Sequence, residues 1–188
     1  MKKRDISTDC VHAGEDRFKA HDSITTPIIQ SSTFVFRNSE EISRYTKGEH
    51  FRYEYGRYGN PTQRAAENKL AKLEGAESAV LFASGMSAII NTLLAILKAD
   101  DHMVITDDAY GKTLAFCKSW LPKWGIGCTV VKMGDYNAIE NAIRPNTQLF
   151  FSESPTNPYL NIMDFSRLRD IKSRHPEMIV VSDSTFAT

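Results

Sequence analysis

Apolar and polar positions change rhythm near residue 60. Before it, no window sustains a 3.6-residue period or strict alternation, which predicts an extended arm over residues 1–60. Pro27 holds its entry extended, and Ser32-Thr33-Phe34-Val35-Phe36 is a candidate short strand. A segment with aromatic residues but no amphipathic face lies against something else, either the body of the domain or a neighbouring subunit. From Asn60 onward the pattern is ordered. Asn60 is a good N-cap and Pro61 a good first helical residue, Ala66, Leu70 and Leu73 share one face, and Gly75 marks the stop. Strand and helix signals then alternate with short connections. Strands are expected near 78–82, 102–106, 127–132, 147–152 and 178–182, and helices near 85–98, 110–121, 135–143 and 164–175, with Asp135 and Asp164 where N-caps belong. Leu149-Phe150-Phe151 and Ile179-Val180-Val181 are continuously apolar, as strands covered on both faces are. The fold class is therefore α/β, a mainly parallel sheet wrapped by helices.

Composition narrows the function. A chain of 188 residues, 41% hydrophobic, can bury a sizeable core. Lys plus Arg and Asp plus Glu are both 23, so the net charge is zero and nothing favours nucleic acid or a membrane surface as partner. Cys10, Cys117 and Cys128 are odd in number, widely spaced and free of metal-type spacing, which suits a reducing compartment. The histidines form no ligand pair, so no metal is expected. The basic start Met1-Lys2-Lys3-Arg4 lacks a following apolar run, and Asp9, Glu15 and Asp16 argue against a transit peptide, which points to the cytoplasm. The most apolar stretch, residues 88–97, is too short to span a bilayer and is broken by Asn91 and Thr92.

The chemistry is expected at the strand ends, because ligands of open α/β sheets sit outside the carboxyl ends of the strands. Ala79-Val80-Leu81-Phe82 runs through Ala83 and Ser84-Gly85-Met86 into an apolar helix, a junction where free backbone N–H groups and the helix dipole favour an anion such as phosphate. Gly85 lets backbone approach that anion, and Ser84 either caps the helix or donates to a phosphate oxygen. Tyr110, Asn157 and Asp183 follow other strands and add an aromatic ring, an amide and a carboxylate. A flat, cationic, phosphorylated aromatic cofactor requires that set. Pyridoxal 5′-phosphate is an electron sink only while its ring nitrogen is protonated, and a carboxylate such as Asp183 in a dry site keeps it so. Tyr110 is the candidate for stacking on the ring. Taken singly, each of these residues also reads as an ordinary cap, turn or rim aromatic.

Five motifs change that balance: Glu54-Tyr55-Gly56-Arg57-Tyr58-Gly59-Asn60-Pro61-Thr62, Leu73-Glu74-Gly75-Ala76-Glu77, Ala83-Ser84-Gly85-Met86, Glu153-Ser154-Pro155-Thr156-Asn157-Pro158 and Asp183-Ser184-Thr185-Phe186-Ala187-Thr188. In this order and spacing they resemble the Cys/Met-metabolism family of pyridoxal-phosphate enzymes over nearly the whole chain. The resemblance is strongest to the cystathionine γ-synthase branch of plant and cyanobacterial type, through Val11-His12-Ala13-Gly14-Glu15, Tyr110-Gly111-Lys112-Thr113 and Leu121-Pro122-Lys123-Trp124-Gly125-Ile126. It implies a three-layer, fold type I large domain, here partial over residues 61–188, with the 1–60 arm serving a neighbouring subunit's site and a C-terminal domain absent. It also implies that Gly85 and Met86 offer N–H groups to the cofactor phosphate, while Tyr55 and Arg57 reach the phosphate of the adjacent subunit. Ser84 and Thr185 join that binding set. Tyr110 would stack on the ring and take a proton from the incoming amino group. Asp183 would pair with the ring nitrogen, and Asn157 would lie near the ring hydroxyl or the substrate carboxylate. Sites shared in this way demand a symmetric dimer, usually doubled to a tetramer.

The implied reaction is γ-replacement of an activated homoserine ester by cysteine, giving cystathionine for methionine biosynthesis. A β- or γ-lyase and a sulfhydrylase are the alternatives within the family. Two departures stand out. Ser184 occupies a position where many relatives have Asn, and the family's Schiff-base lysine follows a motif at which this sequence reaches Thr188. The expectation is that these residues alone do not turn over substrate, which also admits a non-catalytic remnant.

Overall fold

Residues 5–187, the span that the computed structural model describes, form helices α1 (Ile6–His12), α2 (Ser39–Thr46), α3 (Pro61–Leu73), α4 (Gly85–Ile96), α5 (Gly111–Ser119), α6 (Tyr136–Ala142) and α7 (Phe165–Arg174). The strands are β1 (His102–Thr106), β2 (Gly127–Val131), β3 (Thr147–Glu153) and β4 (Ile179–Asp183). By contacts these elements divide into two units, one ending at Leu81 and one beginning at Phe82. The division falls later than the change of rhythm at Asn60 because α3 packs with α1.

In the second unit the strands form one all-parallel sheet in the order β2-β1-β3-β4. A helix separates each strand from the next, as parallel pairing requires. Alternate side chains of the central strands enter two cores. Met103 and Ile105 of β1 and Leu149 and Phe151 of β3 join Leu93, Leu97, Cys117 and Leu121 on one side. Val104 and Phe150 join Ile139, Leu168 and Ile171 on the other. The sheet is thus the middle of three layers, as the continuous apolar runs predict, and each fully buried large side chain contributes roughly 1.5–3 kcal/mol. Asp135 and Asp164 cap α6 and α7. The Asp135 side chain accepts from Ala138 N–H at 2.9 Å, and that of Asp164 from Ser166 N–H at 2.9 Å and Arg167 N–H at 3.2 Å. At the amino end of the sheet the His102 ring is buried between two hydroxyls, Nδ1 lying 2.7 Å from Thr147 Oγ1 and Nε2 2.8 Å from Thr129 Oγ1.

Two expectations about strands beyond residue 60 are corrected. Residues 78–82 form no strand: Val80 is 67% exposed, and Leu81 N–H donates instead to Glu67 Oε1 at 3.1 Å. An apolar run becomes a strand only where a ladder partner completes it, and no described residue pairs with this one. β4 is apolar but not covered on both faces. It lies at the sheet edge, where Ile179 is exposed and Val180 and Val181 are half-buried.

The first unit is not wholly extended either. α1 and α2 interrupt it, and Ser32–Phe36 contributes a single antiparallel bridge, Thr33 to Tyr55, rather than a strand. α3 starts as the sequence predicts, with the Asn60 side chain accepting from Thr62 N–H at 2.8 Å, and Gly75 follows its end at φ +63°. Its buried residues, however, are Glu67 and Ala71, while Ala66 and Leu70 face solvent. Gly14 explains which face is covered. At φ +72° it comes so near α3 that an added Cβ would stand 2.4 Å from Lys69 N, and the adjoining Glu15 carboxylate pairs with Lys69 and Lys19, each at 3.0 Å.

Candidate active site

β1 lies in the interior of the sheet, and the chain passes from it first to β2 on one side and then to β3 on the other. That reversal opens a crevice at the carboxyl ends of β1 and β3, where an α/β sheet receives a ligand. A cavity of about 220 Å³ occupies this end, lined by Gly85, Met86, Ile89, Tyr110, Glu153, Asn157, Asp183, Thr185 and Phe186. Six residues expected at the site from the sequence are therefore brought together: Gly85, Met86, Tyr110, Asn157, Asp183 and Thr185.

Each is placed by local structure. Gly85 is the first residue of α4, and the Ser84 side chain caps that helix by accepting from Ser87 N–H at 3.1 Å. Of the two uses open to Ser84, the structure shows the cap, and Ser84 does not line the cavity. A Cβ added at Gly85 would meet no protein atom within 4 Å, and its φ is not positive. Neither packing nor backbone conformation demands glycine here, whereas a ligand approaching the α4 amides would. Tyr110 precedes α5, at the end of a loop tied on both sides. Asp107 N–H donates to Val131 O at 2.8 Å, and Asn161 Nδ2 donates to Asp108 Oδ2 at 3.1 Å. Asp183 ends β4, and its Oδ1 accepts from both Thr185 N–H at 3.1 Å and Thr185 Oγ1 at 2.6 Å. That leaves Oδ2 for a donor in the cavity.

Glu153, Ile89 and Phe186 line the cavity without having been singled out from the sequence. For Glu153 a signal existed: an ionisable residue closing the apolar run Leu149-Phe150-Phe151 sits where a buried strand meets the ligand end. It is only 4% exposed and stands opposite Asp183 in the β3–β4 register. Its Oε2 accepts from Tyr110 N–H at 2.6 Å and its Oε1 from Asn157 N–H at 3.1 Å. Burial pushes its carboxyl above the usual range against the pull of the Tyr110 N–H, and the charges of Asp183 and Asp108 add to the rise. This end of the sheet accordingly favours a cation beside a helix terminus that favours an anion. The donor set fits pyridoxal phosphate: α4 amides for the ester, Tyr110 for the ring face and a carboxylate for the ring nitrogen.

Tyr55 and Arg57 belong to the first unit, where both are exposed. The Arg57 guanidinium lies 5.1 Å from the centre of the Tyr55 ring, and Tyr58 meets that ring edge-on at 5.9 Å. Gly56 between them rests on Ser32, donating its N–H to Ser32 O at 2.7 Å. The pair is thus displayed from a fixed backbone.

Comparison with known proteins gives a consistent picture. The profile of the Cys/Met metabolism PLP-dependent enzyme family matches residues 7–188. L-methionine γ-lyase of Fusobacterium nucleatum is 38% identical over 188 residues, all of this chain and 47% of that protein. The chloroplastic cystathionine γ-synthase 1 of Arabidopsis thaliana is 41% identical over 181 residues, 95% of this chain and 32% of that one. A putative O-acetylhomoserine (thiol)-lyase of Campylobacter jejuni, whose crystal structure contains N′-pyridoxyl-lysine-5′-monophosphate, superposes with a TM-score of 0.91 at 27% identity, covering 99% of this chain and 45% of that one. The chain therefore spans about half, or less, of the length of these relatives. Among the described residues no helix is long and apolar enough to cross a membrane.

Proposed function

Because the chain belongs to the Cys/Met metabolism family of PLP-dependent enzymes, we propose that its cavity is the cofactor-holding part of a transsulfuration site of cystathionine γ-synthase type. The complete reaction replaces the γ-substituent of an activated homoserine ester by cysteine. The observation that carries the reading is the convergence of Gly85, Met86, Tyr110, Asn157 and Asp183 on one cavity. When bound, pyridoxal phosphate supplies the electron sink that makes the carbons of an amino acid acidic.

The residues of this chain hold and orient it. The amides of Gly85 and Met86, at the positive end of α4, bind the phosphate. Tyr110 covers one ring face and is placed to take a proton from the amino group of an arriving substrate. Asp183 keeps the ring nitrogen protonated through Oδ2, while Thr185 fixes its Oδ1. Asn157 holds the ring hydroxyl or the substrate carboxylate. Tyr55 and Arg57 complete the phosphate site of a second copy, Arg57 with its planar two-pronged guanidinium. This makes the working unit a dimer, doubled to a tetramer. Free thiols at Cys10, Cys117 and Cys128 support a reducing setting such as the cytoplasm.

The similarity to L-methionine γ-lyase over the whole chain favours a second reaction, γ-elimination on the same scaffold. Product analysis decides between them: cystathionine marks replacement, an oxo acid with ammonia marks elimination. The site itself is tested with pyridoxamine 5′-phosphate, which has the ring and the phosphate but no aldehyde to react with surface lysines. Titration followed by intrinsic fluorescence is expected to show saturable binding, weakened about tenfold or more by Asp183→Asn, the size of one lost charged hydrogen bond. Absence of saturable binding, or an unchanged affinity in that variant, would overturn the assignment.

A further inference from the structure

Glu153 has no role in the scheme above, yet it is the most buried ionisable group of the cavity. A carboxylate taken out of water is costly unless its oxygens are satisfied. Here the satisfying donors are two main-chain amides, Tyr110 N–H at 2.6 Å on Oε2 and Asn157 N–H at 3.1 Å on Oε1. These belong to loops that leave different strands, one after β1 and one after β3, and each loop carries a side chain into the cavity. Building on the cofactor reading, we propose that Glu153 is a positioning residue. Its two oxygens clamp the backbones of Tyr110 and Asn157, so that one buried side chain sets the aromatic ring and the amide at a fixed spacing before any ligand arrives.

The alternatives for Glu153 fit the geometry less well. As the partner of the ring nitrogen it would compete with Asp183, whose Oδ2 is free of the Thr185 bonds. As a plain core residue it would cost more than the apolar side chain that could fill its place. Tying two loops accounts for both the burial and the charge. Glutamine is the sharp substitution: nearly the same shape, but one accepting oxygen becomes an NH₂ group facing an N–H donor. The phosphate end of the cavity, at α4, does not involve Glu153.

Two measurements test the role. Amide hydrogen exchange on the cofactor-free chain needs no variant. The Tyr110 and Asn157 amides are expected to exchange at least about a hundredfold more slowly than unpaired loop amides, and exchange at the loop rate would overturn the clamp. In the second, Glu153→Gln is expected to bind pyridoxamine 5′-phosphate about tenfold or more weakly. The variant should also lose most of the circular dichroism that a held ring acquires, with inorganic phosphate bound as by the parent chain. Unchanged affinity and dichroism in the variant would overturn the proposal. A parent chain that protects both amides but binds no pyridoxamine 5′-phosphate would overturn the cofactor reading, and with it this role, leaving Glu153 a structural tie.

Discussion

In the unit that begins at Phe82, Leu149, Phe150 and Phe151 are out of water between two layers of helices, whereas in the unit that ends at Leu81 the buried residues among those described are Ala13, Glu67 and Ala71. The first unit instead relies on polar ties. Glu15 pairs with Lys69 and Lys19, Arg52 with Glu41 at 2.7 Å, and Asn60 Nδ2 donates to Ile29 O at 2.8 Å. Many of its large apolar side chains are outside, Ile24 at 93% exposure and Val35 at 88%, while Ile29, Phe34 and Phe36 are half-buried. A region that leaves such side chains in water while holding its backbone by hydrogen bonds has surface to offer. That contrast supports the proposal that the first unit displays Tyr55 and Arg57 to a second copy, while the sheet unit holds a site on a core of its own.

The contrast can be broken or sharpened by substitution. The largest effect is expected for Phe150→Ala, which empties a fully buried site and should destabilise the sheet unit by about 3–5 kcal/mol, read as a shifted urea midpoint. Gly14→Ala comes next. The new Cβ collides with the α3 backbone at a positive φ, and a cost of about 2 kcal/mol should appear as faster proteolysis within residues 5–81. The smallest effect is a pH dependence. Hydrogen bonds from Lys69, then Lys19, hold the Glu15 carboxyl down at about 2, against an ordinary value of 4.5. A depressed carboxyl contributes stability fully present above its unfolded value, so this tie is complete above pH 4.5 and lost as pH falls toward about 2. The carbon-13 shift of the Glu15 carboxyl in the folded chain should titrate at about 2 rather than 4.5, while the stability falls between the two values.

Legibility in the sequence divides along the same line. The ordered strands and helices of the second unit could be read because burial on both faces writes long apolar runs, as in Leu149-Phe150-Phe151, and because Ser84, Asp135 and Asp164 mark helix starts. Residues 78–82 show the limit: their composition suits a strand, but pairing is a property of the neighbour, not of the segment. α2 interrupts the arm that the sequence predicts to be extended, although it carries a local signal. Asn38 accepts from Glu41 N–H at 2.8 Å while Glu41 reaches back to Arg37 N–H at 2.6 Å, much as in a capping box. Asp183 and Tyr110 are legible because a polar residue just after an apolar strand stands where an α/β sheet receives its ligand. Glu153 closes the same kind of apolar run, but its part is not legible, since a sequence does not tell a carboxylate that touches a ligand from one that accepts from main-chain amides.

The imidazole of His102 gives the sheet a sensitivity unrelated to its ligand end. Neutral, the ring donates through one nitrogen and accepts through the other, suiting a hydroxyl on each side, and it thereby links β1 to β2 and β3 where all three begin. Burial, and then the nearby Arg144, lowers its affinity for a proton below the ordinary 6.5. The unfolded chain therefore takes up that proton first. Mild acid acts as a wedge at the foot of the sheet, loosening it as pH drops below about 6.5, well before the acid range in which the Glu15 tie gives way.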